Sequence, residues 1–165
     1  MPKEMKHIEA NQRIILPKHS MGTHGTHVLE TGRELIHAAG AGRRDEVLEL
    51  LRPGVSGFPE EAVEEALRRS IQLGYADISL SLLRTGFNPN RNKSRSQLLI
   101  DAAQGGDPEV VKAILYHATP PPVPIVRLAL KTALYVGRDA ATNLLKQWLD
   151  HRRPKKGKVP TLKPA

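Results

Sequence analysis

Apolar residues recur along this chain with the period of a helix. Ala62, Val63, Ala66, Leu67, Ser70 and Ile71 fall at i, i+1, i+4, i+5, i+8 and i+9, one continuous stripe down a helical face. Glu60, Glu61, Glu64 and Glu65 crowd the first turns, where the helix dipole favours negative charge. Arg68 and Arg69 follow Glu64 and Glu65 at i+4, the favourable order for ion pairs. Gly74 closes the stripe, and a second apolar run begins at once. The same arrangement surrounds Gly42, Gly106 and Gly137, so the four glycines are 32, 32 and 31 residues apart. A fixed period in this range marks a chain built from stacked supersecondary units.

Aligning on the glycines exposes further columns. Seven residues before them stand Leu35, Leu67, Leu99 and Leu130; four before stand Ala38, Ser70, Ala102 and Ala133. Five after come Val47, Ser79, Val111 and Thr142, and eight after come Leu50, Leu82, Ile114 and Leu145. Nine after come Leu51, Leu83 and Leu115, then Lys146. Each unit reads as two helices, the first ended by a glycine in the left-handed conformation. Asp107-Pro108-Glu109 spells an N-cap, a proline at the first helical position and an early acid. The small residue four before the glycine lets neighbouring first helices nest, and the leucine pairs supply bulk. Trp148, at helical spacing from Leu144, Leu145 and Leu149, is expected to be a core residue closing the array.

Arg52-Pro53-Gly54, Arg84-Thr85-Gly86 and Thr119 to Pro124 separate the units, the last as a stiff proline-rich connection. The domain scheme is an irregular N-terminal extension over 1–30, a repeat domain over 31–151 and a basic tail over 152–165, expected to be disordered. The four units span about 31–58, 59–90, 91–122 and 123–151.

Composition narrows the function. There is no cysteine, which excludes a disulfide framework, a thiolate zinc site and a cysteine nucleophile. With only 4% aromatic residues, the core must be built from Leu, Ile, Val and Ala, which suits thin stacked helices. Met1 to Lys6 is charged but precedes no apolar stretch of signal-peptide length, and no run approaches the roughly 18 apolar residues of a membrane span. A soluble, cytoplasmic or nuclear protein is expected. The net charge of +8 is concentrated at one end. Residues 31–150 carry fifteen Lys/Arg against fourteen Asp/Glu, whereas residues 151–165 carry six and none. A folded nucleic-acid-binding face would spread its charge over the repeat body.

The pattern Leu-x2-Ala-(Ala)-x2-Gly-x4-Val-x2-Leu-Leu resembles the ankyrin repeat. Its closest copies run from Leu35 to Gly42 and from Leu99 to Gly106. Gly86-Phe87-Asn88-Pro89-Asn90 is similar to the family's turn between units. The family's Thr-Pro-Leu-His start is missing, only its leucine being kept, and Lys146 in the divergent fourth unit suits a terminal cap. The resemblance covers about 31–151. It implies an all-α fold, an α-solenoid of helix-turn-helix units, and protein recognition through a concave surface. In the family that surface comes from the inter-unit turns and the first helices, including the two residues before the glycine. Carried onto this chain, it implies partner-binding roles for Glu61, Glu64, Gln72 and Leu73 in unit two. In unit three it implies them for Asn92, Lys93, Arg95, Gln104 and Gly105, and in unit four for Arg127, Tyr135 and Val136. Tyr135 is the sharpest candidate because aromatics are favoured interface anchors, and Leu73 is the next.

Catalytic and metal chemistry find no such support. His19, His24 and His27 lie close together, but without a cysteine or a His-Glu-x-x-His pattern they make no zinc motif. Gly40-Ala41-Gly42 follows a helix and not a strand, so it is no dinucleotide fingerprint. No phosphate loop or nucleophile elbow appears. No cofactor and no metal are expected. The basic tail, with Arg152, Arg153, Lys155, Lys156 and Lys158, reads as a solubilising end, a nuclear-import-like address or a non-specific arm for nucleic acid. The expected function is therefore a non-catalytic, monomeric adaptor binding another protein. The alternative is a nucleic-acid-associated protein using its tail, with the repeats as docking scaffold.

Overall fold

The computed structural model describes residues 23–53, 57–91 and 96–152. Within them the chain is all-helical, as expected: eight α-helices and no strand among the described residues. They are α1 (Thr23–Gly40), α2 (Arg44–Leu50), α3 (Glu60–Gln72), α4 (Ala76–Leu83), α5 (Gln97–Gly105), α6 (Pro108–Leu115), α7 (Val123–Val136) and α8 (Asp139–His151). Each odd-numbered helix packs on the helix that follows it and on the next odd-numbered one; each even-numbered helix packs on the next even-numbered one. The result is two rows, α1–α3–α5–α7 and α2–α4–α6–α8, with the core between them.

Gly42, Gly74, Gly106 and Gly137 all have φ between 71° and 83°, the left-handed region in which a side chain is strained. They allow the first helix of each pair to end and the second to start within three residues or fewer. Asp107 caps α6 as expected: its side chain accepts from Val110 N at 3.0 Å, and Pro108 takes the first helical position. Leu35, Leu67 and Leu99 are fully buried. So are Ala38, Ser70 and Ala133, with Ala102 nearly so, which lets the odd-row helices approach closely. Trp148 is buried, donates from Nε1 to Leu115 O at 3.2 Å, and carries Arg152 over its ring at 4.5 Å from the centroid. Lys146 stands exposed at the column where the other units place leucine.

The turn from Gly86 to Asn90 joins successive pairs. Phe87 is buried, and Asn90 Nδ2 donates to Ile114 O at 2.9 Å and Thr119 O at 2.8 Å. This asparagine ties the loop before α5 to the end of α6, where backbone acceptors would otherwise lack donors.

Two boundaries differ from expectation. Helix α1 starts at Thr23, so residues 23–30 are helical and do not belong to an irregular extension. The apolar period extends back through Val28 and Leu29, in phase with Gly32 and Leu35, and continues the same stripe. Pro124 lies inside α7 and not in the connection before it. In the first turn of a helix the missing N–H has no intrahelical acceptor to lose, so proline is tolerated there. Residues 1–22 and the tail beyond Arg152 lie outside the described residues.

Candidate functional site

The two residues before each glycine fall at the C-terminal ends of the odd-row helices. Gln72 and Leu73, Gln104 and Gly105, and Tyr135 and Val136 are all exposed there. The packing of α3, α5 and α7 brings them side by side. Leu73 is 55% exposed and Tyr135 92%, values unusual for residues of their size. Gln72 Nε2 donates to Asp101 Oδ2 at 3.3 Å, and Gln97 Nε2 donates to Asp101 Oδ1 at 3.0 Å, so Asp101 bridges α3 and the start of α5. Between these ends lies a cleft of about 430 Å³, lined by Gln72, Asp101, Gln104, Val136 and Arg138 among others.

Other candidates are not part of this cluster. Glu61 is exposed in the first turn of α3. It is eleven residues from Gln72, roughly 16 Å along a helix. Glu64 is half-buried and engaged by Arg68 at 2.8 Å, while Glu65 takes Arg68 at 3.2 Å and Arg69 at 2.7 Å. This ladder consumes the charge of Glu64 within its own helix, as the i, i+4 spacing led one to expect. Arg127 is exposed two turns ahead of Tyr135. Asn92, Lys93 and Arg95 lie outside the described residues, as do Arg153, Lys155, Lys156 and Lys158. Of the basic tail, Arg152 is described, and it stacks on Trp148.

Two residues of the cluster escaped the sequence reading: Asp101 and Arg138. Arg138 Nε donates to Gln104 O at 3.1 Å, linking α8's start to the end of α5. Its signal lay in the residues just after the glycines, Arg43, Tyr75, Asp107 and Arg138, whose chemistry changes from one helix pair to the next.

The exposed apolar side chains concentrate on α7. Val123, Leu128, Leu134, Tyr135 and Val136 are all more than a third exposed. Arg127 and Lys131 share that helix, and no acidic residue does. No helix among the described residues is long and apolar enough to cross a membrane. Among the described residues, no group of three or more His, Asp or Glu side chains is placed to hold a metal ion. His19 and the side chains of His24 and His27 lie outside that description. Neither a family model nor a curated protein sequence matches this chain.

Proposed function

We propose that this chain is a short α-solenoid of four ankyrin-like units that serves as a non-catalytic interaction module. It binds a partner protein through the concave surface formed by the ends of its first helices. The glycine-anchored columns and the two helical rows support the repeat reading: the residues four before and five after the glycines are buried scaffold, and the two residues before Gly74, Gly106 and Gly137, which differ in chemistry, are exposed. One observation carries the binding reading. Tyr135 stands almost wholly in solvent beside exposed Leu134 and Val136, an aromatic anchor with no core to serve.

A photo-crosslinking amino acid placed at Arg127 in the full chain tests this. The expected outcome is a specific protein adduct from native cells that falls about tenfold in Tyr135→Ala, the scale of a hot-spot loss. Far-ultraviolet circular dichroism should stay unchanged. An adduct of equal yield in that variant removes the surface from consideration. Truncation after Arg152 separates the alternative: an adduct lost with the tail, together with a steep fall of affinity in salt, favours nucleic-acid association.

A further inference from the structure

The side chain that follows each glycine has a second use at two of the three places where one helix pair packs on the next. Tyr75 reaches back over Gly42, its Cζ 2.7 Å from where a Cβ would stand. Arg138 reaches back over Gly106 in the same way, with Cδ at 2.5 Å, and donates from Nε to Gln104 O at 3.1 Å. At the middle junction the corresponding residue is Asp107. It is too short to reach back and turns instead to cap α6, Oδ1 accepting from Val110 N at 3.0 Å. Among the described residues nothing comes within 4 Å of the Cβ position on Gly74. A half-open cavity of about 300 Å³ remains there, walled by Gly74, Ala76, Ala102, Gly106 and Asp107. Ser70 and Ser79, whose hydroxyls hydrogen-bond to each other at 2.8 Å, also line it.

The neighbouring junctions show what fits such a gap: a tyrosine ring or an arginine stem. The polar groups around it decide between them. Gln72 is the last residue of α3, in the register of Gln104. The amides that could reach its carbonyl are bound elsewhere, Gly74 N to Ile71 O, Tyr75 N to Ser70 O and Ala76 N to Gly74 O. That carbonyl sits at the negative pole of α3. The second carboxylate oxygen of Asp107 makes no hydrogen bond or ion pair with the described residues. The charged Asp107 carboxylate therefore lines an apolar-walled slot, and the Gln72 carbonyl holds the register of the Gln104 carbonyl that Arg138 engages at the next junction. A tyrosine has one donor to offer, whereas a guanidinium has five in a planar fork. The positive pole at the start of α6 does not oppose this, because Asp107 occupies it; Arg138 itself stands at the start of α8.

We propose that the gap above Gly74 is an anchor site for an arginine side chain of a partner polypeptide. That arginine lies on Gly74 as Arg138 lies on Gly106, and its guanidinium donates to the Gln72 carbonyl and the Asp107 carboxylate. The proposal rests on the partner-binding reading for the source of the arginine, but the slot can be tested without any partner.

The test titrates isotope-labelled full chain with N-acetyl-arginine N-methylamide, its lysine counterpart and free L-arginine, following amide shifts by NMR. The capped arginine should give saturable shifts centred on Gly74, Gly106 and Asp107. The lysine probe should bind about tenfold more weakly, the loss of one charge-assisted hydrogen bond. D107N keeps a good helix cap and should weaken the arginine probe by about the same factor. D107R should fill the slot from within and abolish the shifts while the circular dichroism is kept. Equal binding of the two capped probes, binding indifferent to D107N, shifts centred elsewhere, or no saturable shift each overturns the proposal. Tighter binding of free arginine also overturns it, by making the slot a site for the amino acid itself. Success here with a failed Tyr135 experiment would keep the slot and discard the surface around Tyr135.

Discussion

Helix α7 has two faces with different surroundings. Val126, Ala129 and Ala133 are fully buried among α5 and α8, whereas Leu128, Leu134 and Tyr135 on the other side lie open. At the opposite end of the row, α1 treats its free side differently. The residue eight before the glycine is buried as Ala66, Leu98 and Ala129 in the later helix pairs, but is exposed Glu34 in the first. The residue three before the glycine is buried as Ala39, Ile71 and Ala103 in the first three helix pairs, but in the fourth is Leu134, 53% exposed. Among the described helices, both columns lose their covering neighbour at an end of the row. The opening end meets water with a carboxylate, and the closing end meets it with a leucine. Burial in these columns is thus decided by the neighbouring helix, and the closing end keeps apolar surface that solvation alone would not select.

The strongest way to break this contrast is at the closed side of the last pair. Trp148→Ala should destabilise by about 3–5 kcal/mol, because it empties a buried site and removes the bond to Leu115 O. Urea denaturation measures it, and a loss below about 1 kcal/mol would mean that α8 is not packed on α6 as described. Next comes the seam between odd-row helices. Ala102→Phe should destabilise by about 1–3 kcal/mol through overpacking, since Ala102 is 2% exposed between α3 and α7. An unchanged thermal midpoint would contradict close nesting of these helices. The smallest effect belongs to the open face. Leu134→Glu should change stability by no more than about 0.5 kcal/mol, the range of ordinary surface substitutions. A large loss would show that something covers that leucine.

Much of the architecture was legible because periodicity reports burial directly. The stripe from Ala62 to Ile71 is buried at all six of its positions: alanine, valine, leucine, serine and isoleucine all face inward. The left-handed glycines, the cap at Asp107, the ion pairs of Arg68 and Arg69 and the core role of Trp148 are local or nearly local consequences of residue type. The start of α1 was missed because the glycine-anchored columns end before Val28, although the apolar period does not. The candidate surface was legible only in part. Residues just before the glycines share one end of their helices and come together; Glu61 and Arg127, drawn from the same family likeness, stand at the other end.

The residue order alone was enough to specify helices, their ends and their inward faces, because those depend on side chains a few positions apart. It could not specify what crosses from one helix pair to the next. Tyr75 on Gly42, Arg138 on Gly106, the Asn90 bonds to Ile114 and Thr119, and the gap between Gly74 and Asp107 involve residues 24 to 33 positions apart. Their contacts depend on how closely the helices nest and on whether a side chain is long enough to span the junction. The same is true of Leu134, whose exposure reflects the lack of a further helix beyond α7 among the described residues and not its own chemistry.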